Sequence, residues 1–146
     1  TAGGVDGSIR DCLSRAFGYL QGHKVQLGLG VIFDSTDLHI EVIDMLGNRI
    51  ACESGLAMLV AMVSALRKMP ALPGLVILGD LSIQGNIKPV NTLAEPLQIV
   101  MENGARRALI PLENKRAFLE VSGDVIEKVD PVFFSDPMMA CQKALG

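Results

Sequence analysis

Cysteine and histidine are scarce in this chain. Three cysteines, Cys12, Cys52 and Cys141, are scattered over 146 residues with no Cys-x-x-Cys pair. That number and spacing support neither a disulfide framework nor a zinc knuckle and suit a reducing compartment. The two histidines, His23 and His39, form no ligand cluster with any cysteine, which argues against a His/Cys metal site. Long apolar runs are missing as well. The longest, Gly55 to Leu66, falls well short of the roughly 20 residues that cross a bilayer and reads as a buried helix. No signal peptide opens the sequence, so a cytoplasmic protein without membrane contact is expected. There is no excess of basic charge. Thirteen Lys and Arg stand against sixteen Asp and Glu, a net charge of −3, with no electrostatic pull toward nucleic acid or an anionic membrane. Finally, no Gly-x-x-x-x-Gly-Lys-Ser/Thr loop occurs, and no cofactor is expected in this domain.

What is present is a globular composition, 49% hydrophobic and 20% charged, of a length that makes one domain. Residues 1–7, with three glycines and no large apolar side chain, read as a linker or remnant, and the domain as 8–146. Ile9, Cys12, Leu13, Ala16, Phe17 and Leu20 recur at helical spacing between Ser8, a plausible N-cap, and Gly22, a plausible stop. Two strands are predicted next, Val25 to Phe33 and Leu38 to Ile43, from their alternation, with turns at Asp34 to Asp37 and Leu46 to Arg49 making a hairpin or meander.

Gly55 to Lys68 is apolar on nearly every side and predicts a core helix covered all round by protein. Leu75 to Leu78 predicts a short buried strand. Leu81 to Ile83 and Ile87 to Val90 predict a strand pair, with Gly79 and Gly85 marking tight backbone. Thr92-Leu93-Ala94-Glu95 has the form of a capping box opening a helix that stops at Gly104. Arg107 to Ile110 predicts a strand, Glu113 to Lys128 a polar stretch with a short helix, Val132 to Phe134 a last strand, and Ser135-Asp136-Pro137 the start of a terminal helix to Leu145.

Two motifs in this order are distinctive: Gly79-Asp80-Leu81-Ser82-Ile83-Gln84-Gly85-Asn86-Ile87-Lys88-Pro89-Val90, and Asn103-Gly104-Ala105-Arg106-Arg107-Ala108-Leu109-Ile110-Pro111-Leu112-Glu113-Asn114-Lys115-Arg116. As a set they resemble the C-terminal proteolytic domain of Lon proteases, over nearly the whole chain from Ser8 to Leu145. Within that family, Gly79 to Ile83, Leu93-Ala94, Phe133 to Pro137 and Lys143 to Gly146 look most like the Lon-like C-terminal domain of BrxL, the ring-forming ATPases of BREX phage-defence systems. The resemblance implies an α+β fold with small sheets packed around a central buried helix. It also implies a hexameric ring in the full-length protein, and ATP bound by an N-terminal portion outside this sequence.

Lon-type enzymes use a serine nucleophile ahead of the buried helix and a lysine base at the start of a later one. A serine hydroxyl needs a base, and a lysine serves near neutral pH only when burial depresses its pKa. Matching Gly55-Leu56-Ala57-Met58 to the family's Gly-Ile-Ala-Met puts Glu53 in the nucleophile slot, with Ser54 shifted by one residue. Continuing without a gap puts Pro96 in the catalytic lysine slot and Ala94 at the neighbouring lysine. Leu78 stands where active members have the threonine that helps hold that lysine. By this resemblance both halves of the dyad are replaced, and the domain is expected to lack peptidase activity and to serve assembly. The alternative is an active ATP-dependent endopeptidase, acting on polypeptide, that uses Ser54 with Lys88 as base. Read without catalysis, Ser54 is an N-cap and Glu53 an acid near the positive end of the helix dipole, the two together satisfying the NH groups offered there. Asp80 matches the family's acidic Gly-Glu position, and Glu113 to Arg116 a solvated loop; both are expected to support the fold or subunit contacts. His39 lies on a predicted strand where active members also carry a histidine, and a structural reading is preferred.

Overall fold

The computed structural model describes residues 7–41, 54–82 and 84–146. The first helix, α1, spans Gly7–Gly22. Its apolar face is the expected one, with Cys12, Ala16 and Leu20 fully buried. Phe17, at the border of that face, is 39% exposed.

The stretch predicted as a first strand is not one. Residues 23–28 turn, and Gly30–Asp34 form a short helix, α2. The alternation there is only half used: Leu27 and Leu29 are buried, while Val25 and Val31 point to solvent, 74% and 86% exposed. Local bonds explain the difference. The N–H of Leu29 donates to Lys24 O at 2.7 Å and that of Phe33 to Leu29 O at 2.8 Å, so the backbone is satisfied within the segment. Gly28 supplies a positive φ of 71°, and Arg67 donates twice to the carbonyl of Leu27, at 3.0 and 2.5 Å. Leu38 to Glu41 carries no strand. The rest of the predicted hairpin lies outside the described residues.

The central helix, α3 (Gly55–Arg67), buries Leu56, Leu59, Val60, Met62, Val63 and Leu66 against α1 and the C-terminal helix α7 (Pro137–Leu145). It is not covered all round, because Ala61 and Ala65 are exposed. Alanine carries too little apolar surface to demand a partner, so a helix with small residues on one face can lie against solvent.

Three parallel strands, β1 (Leu75–Ile77), β4 (Arg107–Pro111) and β5 (Asp130–Phe134), form a sheet in the order β1-β4-β5. Ile77 is in register with Leu109, and Leu109 with Val132. Between β1 and β4 come an antiparallel pair, β2 (Asp80–Leu81) and β3 (Ile87–Lys88), and helix α4 (Ala94–Glu102). Between β4 and β5 come a 3-10 turn at Leu112–Asn114 and helices α5 (Lys115–Leu119) and α6 (Gly123–Lys128).

The period of two in the strands sorts the core into halves. Leu75, Ile77, Leu109, Val132 and Phe134 pack with α1, α3 and α7. Val76, Leu78, Ala108, Ile110 and Phe133 face the other way, toward Leu97 of α4, Phe118 of α5 and Val125 of α6. The α+β expectation holds, with helices on both faces of a small parallel sheet.

Two helix starts differ in how they are capped. Asp136 caps α7 as expected, its Oδ1 accepting the Met139 N–H at 2.8 Å, with Pro137 in the first turn. The capping box at α4 does not form: the N-cap is Leu93, which is buried, and no side chain caps the helix. Burial of Leu93 and Leu97 fixes that start instead. Of the cysteines, Cys141 is free and buried.

Leu59→Ala should cost about 2–5 kcal/mol, the range for emptying a packed leucine site, and Asp136→Ala about 1 kcal/mol, both read by urea denaturation. Burial pushes the Cys141 thiol from its ordinary 9.0 up to about 11, and burial also raises Tyr19 above 10.0. Between pH 9 and 11 the unfolded chain releases the Cys141 proton while the folded chain keeps it. Stability from this group is therefore complete below pH 9 and should fall by about 2–3 kcal/mol as pH rises through that window. The same denaturation series on Cys141→Ala should show a correspondingly shallower fall.

Candidate functional site

The site begins where α3 begins. Its N-cap residue, Ser54, has φ −121° and makes no side-chain cap hydrogen bond, so the expected capping use of the hydroxyl is not found. The first turn is satisfied from another element. The N–H of Leu56 donates to Gly79 O at 3.4 Å, and the Ser54 carbonyl accepts the Met58 N–H at 3.1 Å to start the helix. The carboxylate of Asp80 lies so close to Gly55 that a Cβ there would collide with its Oδ1. A negative group against the first residue of a helix meets the positive end of its dipole.

Asp80 is 7% exposed, and every part of its carboxylate is engaged. Oδ1 accepts the Leu81 N–H at 2.7 Å and lies 3.3 Å from the Cys12 sulfur. Oδ2 pairs with Arg15 Nη2 at 3.0 Å, while Arg15 Nε donates to Leu81 O at 2.8 Å. One guanidinium from α1 thus grips both the side chain of Asp80 and the backbone of β2. Gly79, with φ 114°, brings this strand in; a Cβ on it would stand 2.9 Å from Pro111 Cγ. Gly85, φ 83°, lets the β2–β3 turn lie under the ring of Tyr19. The tight backbone read at these two glycines is present. Arg15 was missed; the available signal was a charged residue set between buried positions Cys12 and Ala16 of an amphipathic face.

Glu53 lies outside the described residues. Ser54 is half-buried at the mouth of α3. Lys88 sits on β3 directly opposite Asp80, which puts the two on one face of the pair, but it is exposed, without the dry surroundings that a lysine base needs. Pro96 is half-buried in the first turn of α4, where a missing N–H costs little, and its ring offers no group that could take a proton. Ala94, beside it, is exposed. Leu78 packs into the apolar half of the core beneath the sheet. His39 is exposed and not on a strand, so its predicted setting is corrected.

The stretch read as a solvated loop is exposed at Glu113, Lys115 and Arg116, but not at Asn114. Asn114 is buried, its Oδ1 accepting the Val90 N–H and its Nδ2 donating to Val90 O, both at 3.0 Å. The amide mimics a strand neighbour and fastens the segment after β3 to the 3-10 turn after β4. Among the described residues no group of three or more acidic, histidine or cysteine side chains could hold a metal ion.

Arg15→Met, which leaves a buried carboxylate without its cation, should destabilise by about 3 kcal/mol. Gly55→Ala, which drives a methyl into Asp80, should cost about 1–3 kcal/mol. Urea denaturation of the two variants checks both; parental stability in either would deny that this junction holds the fold.

The chain matches the family model of the Lon protease (S16) C-terminal proteolytic domain over residues 1–145. It is 29% identical over 143 residues to "Lon-like protease BrxL" of Escherichia coli O9:H4 (strain HS), covering 98% of this chain and 21% of that protein. It is 27% identical over 133 residues to the Lon protease of Brucella abortus biovar 1 (strain 9-941), 88% of this chain and 16% of the relative. Against "Lon protease homolog 2, peroxisomal" of Caenorhabditis elegans it is 24% identical over 132 residues, 90% of this chain and 17% of the other. It therefore spans about a fifth or less of the length of these relatives. With that family model matching all but the last residue, this chain belongs to the family of Lon protease C-terminal proteolytic domains.

Proposed function

We propose that this is a Lon-type domain without peptidase activity, serving the assembly of a larger ATP-driven ring. The observation that carries the reading is the proline in the first turn of α4. Pro96 lies in the first turn of α4; by the resemblance it stands in the family's catalytic lysine slot, where it could neither accept nor deliver a proton, and acyl transfer by a serine needs that step. Two further features agree with it. Lys88, the lysine facing Asp80, is exposed. Leu78, in place of a lysine-holding threonine, has joined the apolar core.

What remains at the mouth of α3 supports a structural role. The Gly79 carbonyl and the Asp80 carboxylate, braced by Arg15, occupy the end of the helix whose free N–H groups would otherwise be available to a substrate carbonyl. On this reading Glu53 and Ser54 are residues of the helix entrance rather than nucleophiles. ATP would be bound and hydrolysed by a separate portion of the full-length protein, and this domain would contribute subunit contacts in a hexamer. The similarity to a protein named Lon-like protease BrxL favours a ring of the BREX phage-defence type over a housekeeping protease.

The test is digestion of casein and of a fluorogenic peptide by the full-length protein with ATP, beside its Ser54→Ala and Lys88→Ala variants. No cleavage above background is expected in any of the three. Cleavage that depends on Ser54 would overturn the proposal in favour of an active endopeptidase; loss of that cleavage in Lys88→Ala would identify its base.

A further inference from the structure

We draw no further inference here: the strongest candidate, the apolar groove between α1 and the segment after α2 lined by Phe17, Phe33 and Leu38, is an unpartnered face for which nothing in the structure shows what covers it.

Discussion

The Arg15–Asp80 pair is the contact on which the arrangement around α3 depends. It joins three pieces of chain that no local rule would bring together: the middle of α1, the start of β2 and the first residue of α3. The pair is largely desolvated, with side-chain exposures of 21% for Arg15 and 10% for Asp80. Such a pair repays the loss of water only when the remaining polar atoms are also bonded. Here Leu81 gives its N–H to the carboxylate and its carbonyl to the guanidinium. Geometry thereby becomes exacting. Gly55 must have no side chain, and Gly79 must take a φ of 114° to deliver the strand.

The sheet divides the remaining stabilisation. Because alternate residues of β1, β4 and β5 face opposite sides, one short sheet seeds two apolar clusters, one with α1, α3 and α7 and the other with α4, α5 and α6. The polar fastening differs on the two sides. Asp80 and Arg15 anchor the first, and Asn114 anchors the second through its two bonds to Val90. The start of α4 is held by Leu93 and Leu97, both buried, rather than by residue 96, which is only half-buried.

The elements read correctly from sequence were those whose pattern and burial coincide. The face of α1, the Arg107 to Ile110 strand and the Asp136-Pro137 helix start each combine the right period with a local signal. The misreadings share another cause. Val25 to Phe33 alternates as a strand does, yet Arg67 holds the carbonyl of Leu27 while local backbone bonds close α2. Thr92 to Glu95 spells a capping box, yet burial of Leu93 and Leu97 shifts the start of α4. Asn114 lies in a polar tetrapeptide, yet its amide is the correct shape to complete the backbone bonds of Val90. In each, a contact distant in sequence outweighed a weak local preference.

By itself the sequence determined the α+β class, the amphipathic helices and the tight glycines, because periodicity, turn chemistry and residue identity are local properties. Only the tertiary structure decided that Asp80 is spoken for by Arg15, that Ser54 does not cap its helix, that Lys88 is exposed and that Asn114 is buried. Burial and ion pairing are set by which distant segments meet, and a side chain's chemistry follows from its neighbours and its access to water rather than from its place in the chain.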